Sequence, residues 1–315
     1  MPSQAELYEK LRDSVEAETR RDLALVLLAR TNSRQYLDDC LRALKSESVR
    51  ATLDESHRPV LREKYLRFHV DGKRDKAGML RESIARLLVH IEHPEDADIY
   101  QLGVETYYLQ PVDDVAQNLR AVALAGLAPI DPPLACLYAT RFLGEPHTSV
   151  FNCEPALTAV DVLVASNQRL PIYQFLLRDG GGMVRTGRGE LVGKALESLG
   201  EDFPHRLYND LIDLYQGLDQ PTASMGIINC VIEARRTVLY DRLEELILAT
   251  RDADLRRYGL VMMAAARDDE LSERLLRMAR IARREDLPLF IESLDICQHP
   301  GRDALLKTLR KRNMR

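Results

Sequence analysis

The chain has no tryptophan and only six phenylalanines in 315 residues. One deep core built around large rings is therefore a poor expectation, and many thin helix–helix interfaces filled by Leu and Ala are a better one. No CxxC and no Cys/His ligand spacing occurs, and the five cysteines (Cys40, Cys136, Cys153, Cys230, Cys297) are scattered and odd in number. They read as small buried hydrophobes of a reducing compartment, not as a disulfide framework or a zinc site. The clearest apolar run, 23–29, is far too short to span a bilayer. The polar N-terminus MPSQAELYEKLRD has none of the features of a signal peptide. A soluble, cytoplasmic protein without a membrane association is the expectation. Positive charge is not in excess either: the net charge is −5, which argues against a dedicated nucleic-acid binder. GxSxG, HExxH and a Cys–His nucleophile arrangement are all missing. No catalytic residue, metal or cofactor is therefore assigned.

What is present is self-similarity. The stretch 119–143 reads LRAVALAGLAPIDPPLACLYATRFL, an apolar helix, a turn carrying Pro129, Asp131, Pro132 and Pro133, and a second apolar helix. Proline stops the first helix and is tolerated in the first turn of the next. Apolar residues lie one, four and seven places before Ala128 (Leu127, Leu124, Ala121). The same offsets are apolar or small before Glu92, Ser166, Gly200, Arg235, Arg267 and Gln298. These markers lie 36, 38, 34, 35, 32 and 31 residues apart. Offsets of three trace one helical face, and a period in the thirties is one helix pair per repeat. The expected fold is all-α, an α-α superhelix of about seven helix pairs. It runs as one continuous solenoid, with a helical cap over 1–56, repeats over 57–300 and a basic capping helix over 301–315. Within it, 112–128 is expected to form a single helix.

At the second helices the chain resembles the HEAT-repeat family. That family's repeat is a helix, a turn near Pro or Asp, and a second helix opening with Val-Arg and closing with Ala-Leu-x-x-Leu-Gly. MVRTGRGELVGKALESLG (183–200) matches best, and LRAVALAGLA and DADLRRYGLVMMAAA match in part. Elsewhere the closing Gly is absent and the opening Arg falls at varying offsets (Arg81, Arg120, Arg185, Arg256). The resemblance covers roughly residues 57–300. It implies a curved HEAT-like solenoid with the second helices on its concave side, and a non-enzymatic scaffold for a protein partner. It also admits two alternatives, a HEAT-like DNA glycosylase or other nucleic-acid-acting protein, and a protein handling a small ligand or a bilin chromophore.

Three connections stand out for length or polarity: HVDGKRDK, GEPHTSVFNCE and DGGGMVRTGRG. They carry His69, Lys73, Arg74, Lys76, His147, Arg178, Arg185 and Arg188. If they share a rim, it is more basic than the chain as a whole and suits an acidic partner; otherwise these are ordinary solvated charges. Lys73, Arg74, Arg178, Arg185 and Arg188 are the partner-binding candidates. The glycines at 180–182, 187, 189 and 193 invite a phosphate-loop reading. It fails, because Ala195 follows Lys194 and the flanking elements are helices. What remains is a flexible loop.

On the second helices the polar candidates are Arg120, Asp161, Lys194, Asn229 and Glu233. Asp161 sits inside the apolar run ALTAVDVLVA, which predicts a buried carboxylate with Arg120 as its partner. That run and MGIINCVIEA are apolar nearly all round. Either neighbouring helices bury them, or they present an apolar groove. His90 and His93 have an HxxH spacing but no third ligand. Six basic residues against one acid in GRDALLKTLRKRNMR suit a helix C-terminus through its dipole, or else an acidic or nucleic-acid partner.

Overall fold

The computed structural model describes residues 2–110, 114–216 and 220–314. It is all-α, with helices packing on their neighbours in chain order as in a helical solenoid. The chain divides into two compact units, one up to Gln168 and one from Arg169 on.

The first unit begins with α1 (Gln4–Asp13), α2 (Ala17–Arg30), α3 (Arg34–Lys45) and the short α4 (Glu47–Arg50). Three pairs follow: α5 (Arg58–Val70) with α6 (Met79–Ile91), α7 (Ala97–Val104) with α8 (Gln117–Leu127), and α9 (Pro132–Gly144) with α10 (Ala156–Ala165). Helix α3 packs on α6, α6 on α8, and α8 on α10. In the second unit α11 (Arg169–Arg178) and the short α12 (Gly180–Arg185) precede α13 (Gly189–Glu197). Then come α14 (His205–Gln216) with α15 (Pro221–Glu233), α16 (Tyr240–Ala249) with α17 (Ala253–Ala265), α18 (Asp269–Ile281) with α19 (Leu287–Ile296), and α20 (Arg302–Asn313). Second helices again stack in order, α13 on α15, α15 on α17 and α17 on α19. Among the described residues the pairs from α5 onward number seven, three in the first unit and four in the second.

Local chemistry explains the boundaries. At α9 the Asp131 carboxylate accepts from the backbone N–H of Leu134, and Pro132 opens the helix where no N–H is needed. Asp252 and Asp268 cap α17 and α18 in the same way. The residue four places before every marker is buried: Leu88, Leu124, Val162, Leu196, Val231, Met263 and Leu294. Burial of each contributes about 2 kcal/mol, which is what holds helices too short to persist alone.

Five of the seven markers fall on, or one residue before, a residue in the left-handed conformation: Glu92, Asn167, Gly200, Arg235 and Arg267. There the chain reverses to leave the second helix, with the Arg236 N–H bonded to the Val231 carbonyl at 2.9 Å and the Arg235 N–H to Ile232 at 3.1 Å. Only one of the five is glycine. An L-residue held there is strained, whereas glycine is not. Arg235→Gly and Arg267→Gly, both at exposed positions, are each expected to raise unfolding free energy by about 0.5 to 1 kcal/mol. Arg235→Ala should give no such gain in the same urea titration.

Buried cations link successive helix pairs. Lys64 on α5 is 3% exposed and donates to the Thr31 carbonyl at 2.6 Å, with its ammonium 5.5 Å from the Phe68 ring. Burial pulls its pKa down to about 8. The unfolded chain holds that proton to about pH 10.4. Between these values the unfolded state binds more protons, so this site adds stability as pH rises above 8 and adds none below it. Cys40 and Cys230, whose thiols burial pushes up, act in the opposite sense from about pH 9. The difference between wild type and Lys64→Met isolates the lysine. It should widen by about 2 kcal/mol in favour of the wild type from pH 8 to 10, and parallel stability curves would remove Lys64 from this role.

The C-terminal helix uses its cations internally. Arg312 donates to the carbonyls of Arg280 and Ala282, and Arg302 to that of Cys297, all at 2.5–3.2 Å. Arg310 pairs with Asp295. No helix among the described residues is long and apolar enough to cross a membrane.

Candidate partner-binding rim

In the first unit the connections between paired helices lie side by side. Asp75, 2% exposed, sits at the N-terminus of α6, where its carboxylate accepts from the N–H groups of Leu80 (2.9 Å) and Arg81 (3.1 Å). The Arg81 Nε closes the pair at 3.0 Å. Arg81 Nη1 then reaches across to the Thr106 hydroxyl at 3.3 Å and meets His69 Nδ1 at 3.4 Å. Burial first, and then Arg81, lowers the His69 pKa, and since a guanidinium can only donate, Nδ1 is the acceptor in this contact.

The next connection is fastened by Arg120. Its side chain is fully buried and ion-paired with the equally buried Asp114. It donates to the carbonyls of Thr106 (3.4 Å) and His147 (3.3 Å). Its guanidinium lies 4.2 Å from the Tyr107 ring and 5.6 Å from Phe142. Asp114 also accepts from the N–H groups of Tyr108 and Ala116. The Tyr107 hydroxyl donates to Glu145 at 2.6 Å, and Arg141 donates to the same oxygen at 2.7 Å. Burial and then this bond push the Tyr107 pKa up to about 12. Asn152 donates to Asn118 at 2.9 Å. These bonds tie 71–78, the described residues 105–110 and 114–116, and 144–155 into one row.

The outer side of that row holds a cleft of about 280 Å³ lined by Gly72, Lys73, Asp75, Lys76, Arg81, Thr106, Tyr107 and Tyr108. Lys73 and Lys76 are exposed and carry no ion pair among the described residues, whereas Arg74 is neutralised by Asp71 at 2.8 Å. Val70, the last residue of α5, is 86% exposed, and Leu109 (61%) and Phe151 (92%) are exposed on the next two connections.

Several sequence expectations need correction. Asp161 is exposed, not buried, because it lies on the one edge of α10 that meets solvent, together with Ala165. The partner of Arg120 is Asp114. Helix α8 begins at Gln117, and the turn at 114–116 folds Asp114 back under the arginine. The expected start at Val112 lies outside the described residues. The glycine-rich stretch is not an open loop. It contains α12, whose Gly180 is covered by the Tyr215 hydroxyl and whose Val184 is buried.

Of the basic candidates there, Arg178 pairs with Asp179, Arg188 donates to the Thr186 hydroxyl at 2.9 Å, and Arg185 is exposed. Arg178, Arg185 and Arg188 belong to the second unit, Lys73 and Arg74 to the first. Lys194 is half-buried and engaged in contacts. Asn229 bridges successive second helices, donating to Glu197 at 3.3 Å and accepting from the Tyr258 hydroxyl at 2.6 Å. Glu233 is exposed. Helix α15 is buried on most faces, as its apolar run allowed. His93 Nδ1 accepts from the Glu95 N–H at 3.2 Å, and no group of potential metal ligands forms among the described residues.

Sequence reasoning missed Tyr107, Tyr108, Leu109 and Phe151, which lie in irregular segments where no periodicity marks them. It also missed Arg236, fully buried, which donates to the Phe203 carbonyl at 2.7 Å and stacks 4.8 Å from the Tyr208 ring. No family model, no curated protein and no solved structure matches this chain.

Proposed function

We propose that the chain is a HEAT-like scaffold that binds a protein partner through the row of connections in its first unit. The observation that carries this reading is the contrast between the charges spent inside that row and the groups left exposed on it. Asp75 and Arg81, and Asp114 and Arg120, are consumed in structural pairs. Next to them, two lysines without ion pairs among the described residues and the exposed side chains of Val70, Leu109 and Phe151 meet solvent. Loops ordered in advance lose little entropy on binding, and exposed apolar groups flanked by charge are what a protein interface uses.

The acidic overall balance and the internal use of Arg302, Arg310 and Arg312 weigh against nucleic acid as the partner. An open apolar cavity of about 690 Å³ lined by Pro129, Pro132, Pro133, Cys136 and Val162 is bordered by neither Arg120 nor Asp161, which weakens the small-ligand reading. Five free cysteines suit a reducing, cytoplasmic setting.

The test is affinity capture from native lysate, with and without nuclease. It compares the wild type, Lys73→Glu/Lys76→Glu/Phe151→Ser, and Arg178→Glu/Arg185→Glu/Arg188→Glu. A nuclease-resistant protein lost only in the first variant is the expected result. Retention of every captured protein by that variant would refute the rim. Capture that disappears with nuclease would point to nucleic acid.

A further inference from the structure

We infer that the second unit rests one edge on an anionic lipid surface, with Ile281 and Met314 entering the headgroup layer and Arg280, Arg284, Lys307 and Lys311 meeting its charges. This goes beyond the rim reading and is independent of it, since the rim lies in the first unit. Such adsorption needs no membrane-spanning helix.

The edge is built by three helix ends. Leu248 lies one residue before the end of α16, Ile281 ends α18, and Met314 follows the last residue of α20. They recur every 33 positions and are 44%, 77% and 81% exposed. Ion pairs set the register. Arg274 reaches Asp241 at 2.6 Å and Arg277 reaches Glu244 at 3.3 Å, again 33 positions apart. Leu248 and Ile281 follow Glu244 and Arg277 by one helical turn, so they stand on the same side of neighbouring helices that run the same way. Arg312 brings α20 to this place, because it donates to the carbonyls of Arg280 and Ala282, on either side of Ile281. On α20 itself Leu306 and Leu309 are buried, while Ala304, Lys307, Lys311 and Met314, spaced by three and four, share the exposed face.

Cations are in excess here although the chain as a whole carries −5. Residues 277–314 hold nine Lys and Arg against five Asp and Glu. Every one of those carboxylates has a cation: Glu285 has Arg283, Asp286 has Arg256, Glu292 has Arg257, Asp295 has Arg310 and Asp303 has Arg302. Arg277 serves Glu244, and Arg312 serves carbonyls. Arg280, Arg284, Lys307 and Lys311 are exposed and have no ion pair among the described residues. Glu273 on α18 has no cation either, but it lies about two turns back from Arg280.

Single apolar side chains at helix ends, set among unpaired cations, match a lipid interface, which takes the apolar groups below its charged layer and the cations within it. A nucleic-acid backbone would use the cations and gain nothing from isoleucine and methionine. A folded protein partner would need a shape complementary to this edge, whereas a bilayer needs only that the groups point outward together.

The experiment sediments the full chain with vesicles of phosphatidylcholine alone and of phosphatidylcholine with about 30% phosphatidylserine, in about 0.1 M salt. The proteins are wild type, Lys307→Glu/Lys311→Glu, Arg280→Gln/Arg284→Gln, Ile281→Ser/Met314→Ser and, as a control, Lys73→Glu/Lys76→Glu on the rim. Circular dichroism first shows that each melts like the wild type. Binding to the anionic vesicles alone is expected, and about 0.5 M salt should weaken it at least tenfold. Each cation near an anionic surface strengthens binding about fivefold, so either pair of charge changes should weaken it by about twentyfold or more. The Ile281→Ser/Met314→Ser protein should bind about tenfold more weakly, and the rim control as tightly as the wild type. Because the chain has no tryptophan, Ile281→Trp supplies a lone reporter. Its emission should shift to the blue on anionic vesicles and be quenched by lipids brominated in the acyl chain.

Equal binding to both vesicles, no binding to either, or binding that all three edge variants retain would overturn the inference. Loss of binding in the rim control alone would move the lipid contact to the rim and overturn it as well. Binding that ignores Ile281 and Met314 and leaves the I281W reporter unquenched would refute insertion and point to a soluble acidic partner. A single-stranded oligonucleotide of about twenty residues that binds more tightly than the vesicles would assign the cations to nucleic acid instead.

Discussion

Gly226→Val is expected to cost the second unit at least about 3 kcal/mol and to lower its melting temperature by about 10 °C. A Cβ at Gly226 on α15 would run into the Gly193 carbonyl oxygen on α13 and lie 2.7 Å from the Gly193 Cα. A Cβ at Gly193 would in turn strike the Thr222 carbonyl oxygen. Backbone meets backbone at this crossing, so no side chain can turn aside to make room. Two stacked second helices must separate or slide, and every buried contact between them weakens. Valine is a better helix former than glycine, but that difference is well under 1 kcal/mol and does not offset the clash. The control is Gly182→Ala in α12, where an added Cβ meets nothing within 4 Å. That change should be neutral or slightly stabilising, because alanine favours helix. Differential scanning calorimetry of the three proteins decides it; a G226V protein that melts with the wild type would show that the crossing is not as close as described. The same contact explains the glycine of Gly193-Lys194, which a phosphate-loop reading would have assigned to ligand approach.

Arg120→Met comes second, with an expected loss of about 3 to 5 kcal/mol. The guanidinium is fully buried, so its removal leaves the Asp114 carboxylate buried without its cation. The carbonyls of Thr106 and His147 lose their donor as well, and the Tyr107 and Phe142 rings lose the cation between them. Asp114→Asn should cost less, about 2 kcal/mol, because the amide oxygen still accepts from Tyr108 and Ala116. The double variant should be more stable than the sum of the two losses implies, with a coupling of about 2 kcal/mol or more. A urea-based double-mutant cycle measures it. Additivity within about 0.5 kcal/mol would mean that the pair does not act as a unit. Since Arg120 fastens Thr106 and Asp114 to His147, R120M should also weaken any ligand of the rim, although the side chain is out of reach of solvent.

The helix content, the pairing of helices and the places where second helices end were legible in the sequence. They depend on order within about eight residues: an apolar face repeating every three or four positions, a proline or aspartate at a helix start. The markers at Glu92, Gly200, Arg235 and Arg267 coincide with left-handed residues because a helix that must turn back after its last apolar contact does so within one residue. Side-chain partners were another matter. Arg120 was expected to reach Asp161 on the next second helix, and it pairs with Asp114 because the helix starts three residues after that aspartate instead of including it. A shift of a few residues in one boundary moves a carboxylate from one face to another, and local pattern does not fix boundaries that finely. The crossing of Gly193 and Gly226, 33 positions apart in sequence, and the joining of Asp75, Thr106, Asp114, Glu145 and His147 through Arg81, Arg120 and Tyr107 are likewise products of tertiary packing. The sequence by itself determined the repeat and its helical face, since both are properties of a segment. The tertiary structure decided which charges are spent inside the molecule and which remain for a partner, since that depends on what meets across repeats.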